Sequence, residues 1–423
     1  MTKTPLPATA RVCMLVTTNV TDDPRVMKEG SALAQGGYEV IAFGARQNDT
    51  QLLYEVVEGI VVERVDFWHL RLSRWLKQRR GIPPDQGLFV AETSATWRSQ
   101  VRQNSAWVIH QIQYLIHLLT VFIVFYRSAV RERAALYHAH DLDTLLPALL
   151  AGWRLQRPVI YDSHELWYAM RADQPFANWL ICALERFALP RCQGVITSSP
   201  LFAERIMAFY HIPPPTLVMN VPIYSSGAPP LPLNDTDPVQ LLYHGGYQRG
   251  RGLEQLIEAM AYVQSSVHLT MRGLGAIEQK LRHQVTELGL QERVTFVPPV
   301  SMNQLVEAAR DCHIGVIPYT PESGLELALP NKTFEYMAAG LAVLANNMPA
   351  VQTVIDTYQI GVVYATPDPK ALAQIIDEMG RDRERLTSYR QKAWEVYHHH
   401  FTWNEHRHVL YELYARMGVA PNR

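Results

Sequence analysis

Residues 330–347, PNKTFEYMAAGLAVLANN, set a lysine and a glutamate three positions apart between a proline and a glycine. The spacing predicts a helix over 331–339 that closes on Gly340 and runs into an apolar strand. Proline is tolerated where a helix opens, and glycine suits the left-handed residue that ends one. A helix start gathers unpaired N–H groups and positive dipole, so it holds anions. Asn331 and Lys332 stand at that start, and Lys332 adds a charge. Glu335 lies one turn inside, where a carboxylate can accept two hydrogen bonds from a diol. Phosphate at the helix start and ribose hydroxyls at the glutamate make the layout of a nucleotide site. An ordinary amphipathic helix with Phe334 and Met337 in the core is the alternative.

A second segment, LLYHGGYQRGRGLEQLIEAM (241–260), runs from an apolar strand through a glycine-rich turn into a helix from Leu253. Gly245 and Gly246 let backbone approach a phosphate, and Arg251 falls at the mouth of the helix. MRGLGAIEQKL (271–281) puts Gly273 and Gly275 after another strand. In the first half, YHAHDLDTLLPALLAG and VIYDSHELWYAM place His140, Asp141, Asp162, His164 and Glu165 at strand ends. Asp143 reads as a helix cap before TLLPALL; Asp162, His164 and Glu165 together exceed what a cap needs. Arg25, in TTNVTDDPRVMKEG, could meet an acceptor phosphate or pair with Asp22.

These residues need a scaffold that brings strand ends together. Short apolar runs alternate with helical patterns, which argues α/β with parallel sheets and crossover helices. Strands are expected at 11–17, 38–44, 60–65, 135–139, 158–162, 194–198 and 216–220, then at 240–244, 267–272, 294–297, 314–318, 342–346 and 361–364. Helices are expected at 252–263, 276–288, 302–310, 331–339, 351–357, 369–380 and about 402–417. The Pro-rich stretch 222–238 reads as a linker. It divides the 423 residues, too many for one core, into an N-terminal domain, 1–221, and a C-terminal domain, 239–395, with 396–423 as a terminal helix. Two doubly wound domains bind ligands at the carboxyl ends of their strands.

The 330–347 run resembles the donor-binding segment of the GT-B glycosyltransferases of family 4, whose members often carry an Asn-Lys-x-Phe-Glu-Tyr-Met version of it. The resemblance implies a GT-B fold, with two Rossmann-like doubly wound domains facing a central cleft and the C-terminal helix crossing back to the N-terminal domain. It implies retaining transfer from a UDP-linked nucleotide sugar to a glycan or lipid-linked acceptor, in surface polysaccharide or glycoconjugate assembly, with no cofactor and no dedicated metal. It makes His164, Arg251 and Lys332 the catalytic candidates. Gly245, Gly246, Arg249, Arg251, Gly273, Glu326, Asn331, Lys332 and Glu335 become the donor site, and Arg25, His140 and Asp141 the acceptor side. The family usually holds Gly-Arg, four residues, then Lys-Gly; Arg251-Gly252 matches the second pair, whereas Gly246 replaces the arginine. Arg249 either reaches that place or is a solvated loop residue. The family's first glutamate, eight positions before Glu335, is Leu327 here; Glu326 or Glu322 could substitute, or be merely exposed. The loop 17–30 resembles a subgroup with Asp-x-Arg-Val. Two rival readings share the fold: a sugar-nucleotide epimerase, and a non-catalytic scaffold subunit.

Hydrophobic content of 48% and a net charge of −1 describe a folded protein with no whole-molecule field for nucleic acid. Asp141-Leu142-Asp143 spells the Asp-x-Asp of metal-dependent GT-A enzymes, but Asp235-Thr236-Asp237 spells it again in the linker, so the match is discarded. Four cysteines without C-x-x-C spacing read as free thiols in a reducing compartment, and the N-terminus has no signal-peptide pattern, so a cytoplasmic protein is expected. Residues 64–133 hold 11 basic and 4 acidic residues, a net of +7. Arg71, Arg74, Trp75, Lys77, Arg79 and Arg80 precede a run, 103–126, with no formal charge. This insertion is either a dock for the anionic inner face of the cell membrane or a buried crossover helix.

Overall fold

The computed structural model describes residues 10–48, 50–65, 119–170, 175–223, 227–234, 236–320 and 326–421. The chain folds as two compact units, residues 1–196 with 410–423, and residues 197–409.

The first sheet has strands β1 (Arg11–Leu15), β2 (Glu39–Ala45), β3 (Tyr54–Val57), β4 (Ile60–Val65), β5 (Leu136–His140), β6 (Val159–Ser163), β7 (Gly194–Thr197) and β8 (Thr216–Leu217), in the order β3-β4-β2-β1-β5-β6-β7-β8. β1 runs parallel to β2 and β5, and β5 to β6. Their near-continuous apolar character follows from burial of both sheet faces. β3, which the sequence pattern did not reveal, pairs antiparallel with β4 through Glu58 and Gly59, both left-handed. Tyr54 and Val56 are exposed and Glu55 and Val57 half-buried, so it carries no buried-strand signature.

Residues 410–423 belong to this first unit. The Tyr414 hydroxyl lies 2.8 Å from His138 Nδ1, Tyr38 Oη donates to the Val419 carbonyl (3.1 Å), and Tyr411 Oη donates to that of Ala32 (2.6 Å). Leu410, Leu413 and Tyr414 are buried.

The second sheet is parallel: β9 (Val239–His244), β10 (Val267–Arg272), β11 (Val294–Val297), β12 (Ile314–Ile317), β13 (Ala342–Asn346) and β14 (Gly361–Tyr364), in the order β11-β10-β9-β12-β13-β14. The helix Asn331–Ala339 connects β12 to β13 and ends on Gly340 at φ 71°. The described part of 222–238, expected to be a linker, is fastened within the second unit. Arg310 donates to the Ala228 and Pro229 carbonyls, and the buried Arg390 to those of Leu231 and Gly340. The two compact units divide at Ile196/Thr197, although β8 of the first sheet lies beyond that point.

Of the insertion 64–133, residues 66–118 lie outside the described residues, and with them Arg71, Arg74, Trp75, Lys77, Arg79 and Arg80. At its described edges the charges are engaged locally. Arg64 is buried on Asn19, and Arg131 pairs with Glu63 and Glu132. Among the described residues, no helix is long and apolar enough to cross a membrane.

Candidate active site

In the second unit, β9 ends on His244 and the chain turns at once through Gly245 and Gly246. Gly245 has φ 134°, and a Cβ there would lie 3.0 Å from Lys332 Nζ, so a side chain would cover the ammonium. Gly273, at φ 156°, has no room for one: its Cβ would sit 2.0 Å from the Gly245 carbonyl oxygen. The two expected glycine turns therefore interlock.

Lys332 opens the helix Asn331–Ala339 and is buried. Its Nζ lies 4.1 Å from the centre of the Tyr243 ring and 4.8 Å from that of Tyr319. Burial works against the charge, yet Tyr319 and Tyr243 leave its pKa raised above the usual lysine value. Arg251 stacks on the same Tyr319, 4.3 Å from the ring centre. Two cations thus share one aromatic ring beside the glycine turn, an arrangement suited to a diphosphate. Arg249, Gly246 and Gly275 are exposed on the same turns; Asn331 and Glu326 are half-buried, and Glu322 is outside the described residues.

Glu335, one turn along, is half-buried, and its Oε2 lies 2.8 Å from His244 Nε2. His244 stacks on Tyr336, ring centres 4.7 Å apart. No periodicity links His244 to Glu335, which is why sequence reasoning missed it; its place at the end of a strand before two glycines was the available signal.

The first unit holds a denser cluster. The parallel register of β5 and β6 sets His140 beside Asp162. Asp162, wholly buried, accepts from Arg25 Nε (2.6 Å) and Nη2 (2.8 Å). His164 Nε2 lies 3.3 Å from Asp162 Oδ2 and 3.2 Å from His140 Nδ1, while its Nδ1 lies 3.3 Å from Asp141 Oδ2. Burial pulls His164 down, but Asp141 and Asp162 outweigh it and push it up to about 9. Burial alone would raise Asp162; Arg25, and then the histidines, hold it well below the usual carboxylate range. Burial lowers His140. His164 is consequently an imidazolium at neutral pH, half-buried at the end of β6.

Three expectations change here. Arg25 is buried on Asp162 and Glu29 rather than presented to an acceptor phosphate or paired with Asp22, whose carboxylate accepts from Asn19. His140 is also buried and supports His164 instead of lining an acceptor site. Asp143 does not cap its helix. The helix Leu142–Leu155 begins two residues earlier, with Asp141 at the cap position at φ 64° and its carboxylate turned to His164.

Glu29 and His138, unnoticed in the sequence, complete the cluster. Burial pushes Glu29 up to about 8, against the pull of Arg25. Glu29, His138, His140 and Asp162 offer ligand atoms all within 4.8 Å of one another. They do not fit a metal ion, because the Arg25 guanidinium already stands between the two carboxylates, 2.6 Å from Asp162 and 3.1 Å from Glu29.

Two parallel-sheet α/β units, one with a nucleotide-type helix start, define the GT-B architecture. The description "Glycosyl transferase 4-like domain" matches residues 23–222, and "Glycosyl transferases group 1" matches residues 230–396. The chain belongs to this GT-B glycosyltransferase group 1 family. It is 27% identical over 199 residues to the D-inositol 3-phosphate glycosyltransferase 1 of Catenulispora acidiphila, covering 44% of this chain and 46% of that one. The match thus spans less than half of that relative's length. In structure it is similar to sucrose-phosphate synthase from Thermosynechococcus elongatus (TM-score 0.72, 17% identity, 97% of this chain and 99% of that one). It is also similar to HepE of Anabaena in complex with UDP (TM-score 0.65, 14% identity, 96% of this chain and 100% of that one).

Proposed function

We propose that the chain transfers a sugar from a UDP-linked nucleotide sugar to a glycan or lipid-linked acceptor with retention of configuration, in surface polysaccharide or glycoconjugate assembly. The observation that carries this reading is the single helix start on which a buried, charged Lys332 and, one turn on, Glu335 stand beside a glycine turn whose Gly245 leaves the ammonium uncovered. HepE, similar in fold, is known in complex with UDP-glucose, which supports the choice of nucleotide.

Glycosyl transfer passes through an oxocarbenium-like state as diphosphate departs. In this reading Lys332, Arg251 and the helix N–H groups hold the leaving charge with donors already in place. Glu335 takes the ribose. His164, an imidazolium held by two carboxylates, lines the reacting sugar, with Asp141 positioning it. No step calls for a metal ion. A thermal-shift panel of UDP-, GDP-, ADP- and dTDP-sugars tests the donor. Stabilisation by UDP-sugars is expected, and stabilisation by another class alone would replace the nucleotide. Formation of an epimeric sugar nucleotide with no acceptor present would convert the reading to an epimerase.

The proposed site of action is the anionic inner face of the cell membrane, reached through 64–133. Described residues of the same unit support it. The exposed Trp153 and Phe187 rings meet edge to face, with Arg191 over Phe187 and exposed Arg154, Arg157 and Arg186 close by in sequence, while the neighbouring Glu185 is buried on Tyr161. Aromatic rings beside arginine suit an anionic lipid interface. Co-sedimentation with phosphatidylglycerol liposomes at low salt, lost at high salt or with neutral lipid, is the expected result; indifference to both overturns the docking.

A further inference from the structure

We infer that His244 is a positioning residue for Glu335, fixing the carboxylate that receives the ribose diol; this rests on the donor site proposed above. His244 Nε2 lies 2.8 Å from one oxygen, Oε2, a close contact without hydrogen-bond alignment, and it limits where that oxygen can sit and so the direction the other oxygen faces. His244 itself has little freedom. It is buried, at 3% exposure, and its ring stacks on Tyr336 at 4.7 Å and 29°. Its backbone N–H donates to the Tyr336 hydroxyl (3.2 Å), which in turn donates to the Val316 carbonyl (3.3 Å). The residue next to Glu335 in sequence therefore clamps both the ring and the backbone of the residue that holds Glu335. A glutamate has three rotatable side-chain bonds whose freedom is lost on binding, and a fixed imidazole removes that loss in advance.

Calorimetry with UDP, GDP, ADP and dTDP identifies the nucleotide, and the tightest binder is then used throughout. His244→Phe keeps the stack and removes the nitrogens; His244→Gln restores an N–H donor. The phenylalanine variant should bind roughly tenfold more weakly and the glutamine variant should recover most of the loss, on the scale of one polar contact to a charged group. In the Glu335→Ala background His244→Phe should cost nothing further. Preference for the nucleotide over its 2′,3′-dideoxy form should shrink in His244→Phe as it does in Glu335→Ala, a readout a merely structural histidine would not move. If His244→Phe fails to fold, His244→Asn, too short to reach Oε2, takes its place. Unchanged affinity in the His244 variants while Glu335→Ala binds weakly overturns this inference alone, as does a full further loss in the double variant. If no nucleoside diphosphate binds, or Glu335→Ala binds normally, the donor reading falls and this inference with it.

Discussion

Lys332 and Arg251 both lie over the Tyr319 ring, and among the described residues neither is paired with a carboxylate that would neutralise it before a ligand arrives. Charge kept in this way matters most where negative charge accumulates, so Lys332→Ala and Arg251→Ala should each lower kcat more than they raise the donor KM. Steady-state kinetics against donor concentration checks the split, and a raised KM with normal kcat would make them ground-state anchors only. His164 gives a second test at this scale. Its pKa is raised from 6.5 to about 9, so the imidazolium's contribution to stability is complete below pH 6.5 and is lost as pH climbs through 9. Glu29, raised from 4.5 to about 8, also costs stability as pH rises, but only up to about 8. The decline in melting temperature between pH 8 and 9 should therefore be flattened in His164→Gln. In the same variant transfer should be abolished while nucleotide binding, measured by calorimetry, stays near the parent's.

At the scale of elements, the helix Asn331–Ala339 is seated by one residue of the neighbouring strand. A Cβ at Gly315 of β12 would lie 2.2 Å from Tyr336 Cγ, and the Tyr336 hydroxyl is tied to His244 and Val316 at its far end. Gly315→Ala should cost about 1–3 kcal/mol by overpacking, and it should weaken nucleotide binding as well, because the displaced ring adjoins Glu335. Thermal melting and calorimetry on one preparation check both effects, and full stability would show that the ring can retreat. The strands of both sheets were legible to within a few residues, since buried parallel strands announce themselves as apolar runs between glycine turns. The helix 331–339 was legible from Pro330 and Gly340. What stayed hidden depends on distant partners. β3 shows its side chains to solvent, so it has no apolar run to detect. The stretch 222–238 has a linker's composition but is held by Arg390, far downstream. Likewise Arg25 could be seen as a charged residue near a helix start, whereas its burial on Asp162 required the register of β5 and β6.

The whole molecule brings together residues that lie far apart in the chain. Residues 410–423 are part of the first unit, and they reach its chemistry: Tyr414 touches His138, which stacks on His140 at 4.3 Å between ring centres, and His140 touches His164. A chain ending at Val409 should lose the buried Leu410, Leu413 and Tyr414, melt at a lower temperature and aggregate; Tyr414→Phe, which keeps the ring, should be milder. Static light scattering during a thermal ramp separates the two, and a truncated chain as stable as the parent would show that the segment adds nothing. The discontinuity also constrains synthesis. Residues 1–196 emerge from the ribosome without their final layer, and at about 5–20 residues per second the segment that covers His138 follows roughly 10–40 s later, after all of Thr197–Val409. During that interval the nascent first unit presents an unfinished apolar face, which makes it a natural client for chaperones until residues 410–423 have been made.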